Sequence, residues 1–136
     1  MKYWYFILFL VGIISCNSST NVLIGKWQVE SPFYKAIYQI VKKDGRLKTQ
    51  ILFYDDDTYR YRFNGKKEKY LFQNIQQNEE AFVDMVSGAT KQSDQSKLPK
   101  LILVHQDTLS VTTYQMRKPI TETWVRINQN QSEDDE

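Results

Sequence analysis

Asp44-Gly45-Arg46-Leu47-Lys48-Thr49-Gln50-Ile51-Leu52-Phe53 sets Leu47, Thr49, Ile51 and Phe53 on one face of an extended chain and Arg46, Lys48 and Gln50 on the other. Successive side chains of a strand point to opposite faces, so this stretch predicts a strand with one face in a core and one in water. Asp44-Gly45 ahead of it marks a tight hairpin, because a type I′ turn needs positive φ at both central residues and Asp followed by Gly accepts it cheaply. The alternation returns in Tyr59, Tyr61 and Phe63, interleaved with Thr58, Arg60 and Arg62, and Asn64-Gly65 repeats the turn signal. Turn residues recur roughly every eight to twelve positions and helical periodicity is nearly absent, which predicts an all-β antiparallel meander. The expected strands cover 23–30, 35–43, 46–54, 57–64, 67–76, 80–87, 99–105, 108–115 and 120–127.

Two readings compete between Asn78 and Gly88. Asn78 caps a helix if Glu79 and Glu80 form its first turn and Gly88 follows its end. Phe82, Val83 and Val86 continue the meander if the segment is a strand, and strand is the preferred expectation. Ser87 to Lys97 then reads as a long polar loop at one end of the sheet.

The N-terminus carries a different signal. Lys2 is followed by an apolar run from Tyr3 to Ile14, then Ser15 and Cys16, the only cysteine of the chain. The run is shorter than the ~20 residues a membrane-spanning helix needs. A charged start, a short apolar run and a small residue at the cut describe a secretory signal. Its ending, Ile13-Ile14-Ser15-Cys16, resembles the lipobox of bacterial lipoproteins, which implies cleavage before Cys16 and lipidation of that residue. Residues 1–16 are therefore expected to be a signal peptide, 17–22 a polar tether, 23–127 one domain and 128–136 an acidic disordered tail. With a single cysteine the domain has no internal disulfide and relies on its core. Setting aside Lys2 and the terminal Glu133, Asp134, Asp135 and Glu136, the body has 17 basic against 12 acidic side chains. Its basic residues alternate along a strand or sit at turns, unlike the clustered face of a nucleic-acid reader, so no nucleic-acid partner is expected.

Gly25-Lys26-Trp27 at the head of the first strand and Thr123-Trp124-Val125-Arg126 in the last resemble the Gly-x-Trp opening and closing Arg of lipocalin-like (calycin) β-barrels. Small bacterial lipocalin-like lipoproteins of unassigned function begin and end in this way. The resemblance implies an up-and-down antiparallel barrel of eight or nine strands. It also implies that Trp27 closes one end with Arg126 packed across it, beside Trp124, and that Gly25 allows close backbone approach. A lipid-anchored, non-catalytic protein of a Gram-negative envelope is expected, at the outer membrane and facing the periplasm. Its partners would be the membrane, through the anchor, and either a small apolar or amphipathic ligand or another envelope component met through the loops of a solid barrel. The candidate pocket walls are Ile51, Phe53, Tyr59, Tyr61, Phe63, Tyr70 and Phe72, although an eight-stranded barrel has room only for side chains or one small ligand.

Residues with catalytic or metal-binding chemistry form no recognised motif. His105 and Asp107 share a face if the strand is extended, yet Gln106-Asp107 also reads as a turn and no motif places a nucleophile, so a hydrolase is the least favoured class. Asp55-Asp56-Asp57 lacks the alternating spacing and Gly of a calcium loop and reads as a solvated turn. No cofactor and no metal are expected.

Overall fold

The computed structural model describes residues 19–57, 62–85 and 97–128. A 3-10 turn, η1 (Ser19–Leu23), leads into nine strands: β1 (Gly25–Glu30), β2 (Lys35–Lys43), β3 (Arg46–Asp55), β4 (Arg62–Phe63), β5 (Tyr70–Asn78), β6 (Ala81–Asp84), β7 (Lys100–His105), β8 (Thr108–Gln115) and β9 (Lys118–Arg126). Eight of them form a ring in which each strand pairs antiparallel with its neighbours, β1 meeting β9 and β2 meeting β3. The fold is a closed up-and-down β-barrel, and β4 is a two-residue appendage on the end of β3. Closure leaves the ring without a free edge, so chain 17–136 contains every strand that the barrel needs. Residues 81–84 are strand, which settles the ambiguity at Asn78 in favour of the meander. The expected tether gives way at Ser19 to η1, whose Leu23 is fully buried in the core. The signal peptide, Cys16 and the acidic tail lie outside the described residues.

Asp44 and Gly45 both have positive φ, 55° and 74°, and join β2 to β3 as the sequence predicts. Asn64-Gly65 behaves differently. Only Gly65 has positive φ, and the Asn64 side chain accepts a hydrogen bond from the Lys66 amide instead. A Cβ on Gly65 would lie 2.9 Å from the Leu52 carbonyl oxygen, so the turn is pressed onto β3. It therefore does not make a hairpin of neighbouring strands: β4 pairs with the end of β3 and β5 with its beginning.

The interior is filled by Trp27, Tyr38, Phe72 and Trp124, with Leu23, Ile40, Leu101 and Leu109 around them. Tyr38 and Trp124 have ring centroids 4.6 Å apart, and Phe72 stacks on Trp124 at 6.0 Å. Bulges in β3, β5 and β7 adjust the wall. Ile37 pairs with Phe53 but Tyr38 with Ile51, so Leu52 is an extra residue in β3, and beyond it the alternation reverses. Phe72 and Ile75 both face inward although three positions apart, which requires an extra residue in β5.

Candidate functional site

The two ends of the barrel differ in chemistry. At the closed end η1 folds beneath the first turn of β1, and the Trp27 indole Nε1 donates to the Leu23 carbonyl at 3.0 Å. The Arg126 guanidinium lies over the Trp27 ring at 4.2 Å. It donates to the carbonyls of Ile24 at 2.9 Å and Val22 at 2.6 Å, and pairs with Asp107 at 3.5 Å. These contacts tie the N-terminal turn, the β7–β8 turn and the last strand into one seal. Gly25 has φ +148°, and a Cβ there would lie 2.6 Å from Arg126 Nη1, so this position needs glycine both for its backbone and for the guanidinium. Trp27, Trp124, Gly25 and Arg126 thus occupy one seal and the core next to it.

At the opposite end, where β1 passes into β2 and β8 into β9, the interior becomes polar. Tyr34 and Tyr54 stack with centroids 5.0 Å apart, and the Tyr34 hydroxyl donates a hydrogen bond to the Glu122 carboxylate. Tyr38 lies next to both groups and joins this cluster to the Trp124 layer below. Burial, followed by the hydrogen bond to Glu122, raises the Tyr34 pKa far above the ordinary phenol value. Burial first, then the nearby Glu122 charge, does the same for Tyr38. Both hydroxyls are held protonated, as donors or acceptors of hydrogen bonds. Tyr34, Tyr54 and Glu122 are only partly buried, so the cluster keeps contact with solvent.

Beneath this cluster two polar atoms are shut off from solvent. Trp124 Nε1 and Thr49 Oγ1 find no hydrogen-bond partner among the described residues. They belong to one layer, since Thr49 pairs with Phe72, which stacks on Trp124. A buried donor left unpaired costs about 1–3 kcal/mol, so an oxygen-bearing group reaching this layer would be stabilised there.

The expected pocket walls are only partly brought together. Phe72 is fully buried and Ile51 packs against the core. Phe53 is a correction: the Leu52 bulge turns it outward, 38% exposed. Phe63 is buried but stands apart from the core cluster: on β4 it opposes Tyr54, with Phe53 it lines a groove of about 460 Å³, and the Lys69 ammonium lies 5.1 Å from its ring. Tyr70 is a second correction. It opposes Gln50 on the outer face and hydrogen-bonds to Glu68 and Lys43. Tyr59 and Tyr61 lie outside the described residues.

The site residues missed in the sequence are Tyr34, Tyr38, Tyr54 and Glu122. Glu122 sits two positions before Trp124, and in a strand that spacing shares a face, so an inward Trp124 was the available signal for an inward carboxylate. His105 is exposed and Asp107 turns to Arg126. Asp55 Oδ1 accepts the Asp57 amide within its own turn. No protein-family model, curated protein or solved structure matches the chain.

Proposed function

We propose that this protein is a lipid-anchored component of the bacterial cell envelope, at the outer membrane and facing the periplasm. Its lipocalin-like barrel binds a small amphipathic molecule at the open end without catalysing a reaction. The observation that carries this reading is the pair of orphaned polar atoms, Trp124 Nε1 and Thr49 Oγ1, in an otherwise apolar interior below a polar, solvent-accessible mouth. Buried polar groups are nearly always hydrogen-bonded, so these two atoms call for a partner, which water, an ion or a ligand's polar group can supply.

The test uses the two indoles of chain 17–136, labelled with ¹⁵N, and a panel of short-chain apolar and amphipathic molecules. A ligand in the mouth shifts the Trp124 indole resonance and leaves that of Trp27, already bonded to Leu23, unchanged. A panel that moves neither indole defeats the reading. The second reading, a solid barrel that meets another envelope component through its rim, would then stand. It is favoured by the aromatic filling of the lower barrel and by Phe33 and Met116, 81% and 98% exposed in the β1–β2 and β8–β9 turns.

Anchoring is tested separately. The apolar run ending in Ser15-Cys16 motivates the expectation that Cys16→Ala abolishes acyl labelling in cells and leaves an uncleaved precursor or releases the domain from membranes. Labelling that persists in the variant removes the lipoprotein reading.

A further inference from the structure

We infer that the molecule seated in the barrel mouth carries a protonated amine, held by the Glu122 carboxylate and the hydroxyl oxygens of Tyr34 and Tyr38. This rests on the mouth being a binding site and adds the chemical class of its ligand. The inward side chains there form an acceptor set around one negative charge. Glu122 faces inward, two residues from the buried Trp124, and takes a hydrogen bond from Tyr34. An ionised carboxylate accepts at two oxygens and has further lone pairs after one bond is made. Each tyrosine hydroxyl also keeps lone pairs when it donates, so Tyr34 and Tyr38 accept as well. An alkylammonium presents three N–H donors, matching one carboxylate and two hydroxyls.

The charges around the mouth support the same class. A carboxylate withdrawn among tyrosine rings is stabilised most by a cation that reaches it, because opposite charges attract more strongly where water is thinned out. Of the two cations on the same strand, Arg126 is committed to Trp27, Asp107 and backbone carbonyls at the other end of the barrel, and Lys118, four residues before Glu122, is exposed at the rim. Lys35, between the inward Tyr34 and Ala36, lies exposed on the outer side. A ligand carboxylate or phosphate would instead meet Glu122 as a like charge. Below the ammonium, a short apolar tail would face Ala36, the smallest inward side chain of β2, and Val111, which pairs with Glu122. An aliphatic amine has a pKa near that of lysine, about 10.4, and is charged in neutral solution.

The experiment titrates chain 17–136 with three eight-carbon ligands that differ only in the polar group: octylamine, 1-octanol and octanoate. Calorimetry measures affinity and the Trp124 indole resonance reports occupancy of the mouth. Octylamine is expected to bind at least tenfold more tightly than octanol, with octanoate weakest. Glu122→Gln, which keeps shape and polarity, should bring octylamine to the level of octanol and leave octanol unchanged. Tyr34→Phe should weaken octylamine by a smaller factor, and serves as the second variant if Glu122→Gln lowers the melting temperature. Octanol or octanoate binding as tightly as the amine, or an amine preference that survives Glu122→Gln, overturns the inference while leaving the mouth as a site. If none of the three moves the Trp124 resonance, the mouth reading fails and this inference with it.

Discussion

Trp27→Ala should destabilise the barrel by about 3–5 kcal/mol, the usual cost of truncating a buried aromatic side chain. That is a large share of the ~5–15 kcal/mol that holds a typical domain together. The loss would be severe because Trp27 does three things at once. It is fully buried in the core, it holds η1 through its bond to Leu23, and it is the platform on which Arg126 rests. Arg126→Ala should cost less, since a guanidinium over an indole contributes roughly 0.5–2 kcal/mol depending on exposure. The double variant should be more stable than the sum of the two losses implies, by roughly 1 kcal/mol, because each substitution alone already breaks the shared contact. Urea unfolding of the four proteins measures this. Additive effects within ~0.3 kcal/mol would mean that the seal is not a coupled unit.

Asp84→Ala is expected to cost about 3 kcal/mol. Asp84 is fully buried in β6, and its Oδ1 accepts the amides of Gln73 and Asn74 at 3.3 and 3.0 Å. Those two amides belong to the bulge in β5, where the extra residue takes the backbone out of regular pairing. Without the carboxylate, two partly buried donors lose an acceptor, and hydrogen bonds to a charged group are worth about 1.5–3 kcal/mol each. Asp84→Asn keeps one carbonyl oxygen and should cost about half as much. The bulge keeps Phe72 and Ile75 on the inner face together, so loss of the carboxylate should also increase hydrogen exchange at Gln73, Asn74 and Met85, whose amide bonds to the Asn74 carbonyl. An Asp84→Ala protein as stable as the wild type, with those amides still protected, would show that the bulge is held by pairing alone.

Alternation of side chains and the Asp44-Gly45 turn were sufficient in the sequence to place most of the strands and to make the chain an antiparallel meander. Both signals are local: period two reports which face of a strand meets the core, and positive φ at a turn depends on the two residues that occupy it. The Gly25-Lys26-Trp27 and Trp124-Val125-Arg126 signatures likewise marked residues that the structure brings to one end of the barrel. The pocket walls were not legible. They were extrapolated by unbroken alternation, and a bulge reverses alternation without any composition signal of its own, which is why Phe53 faces outward. Asn64-Gly65 failed as a hairpin because the pairing of β3 with both β4 and β5 is decided between distant segments. The mouth cluster was hidden for the same reason: Tyr34 and Glu122 are 88 residues apart and meet only because closure of the ring sets β1 beside β9. What the sequence determined by itself was the strand period, the tight turn at Asp44-Gly45 and the ends of the barrel. What only the tertiary structure decided was which side chains look inward beyond each bulge and which distant polar groups share the interior, since both depend on register around a closed ring.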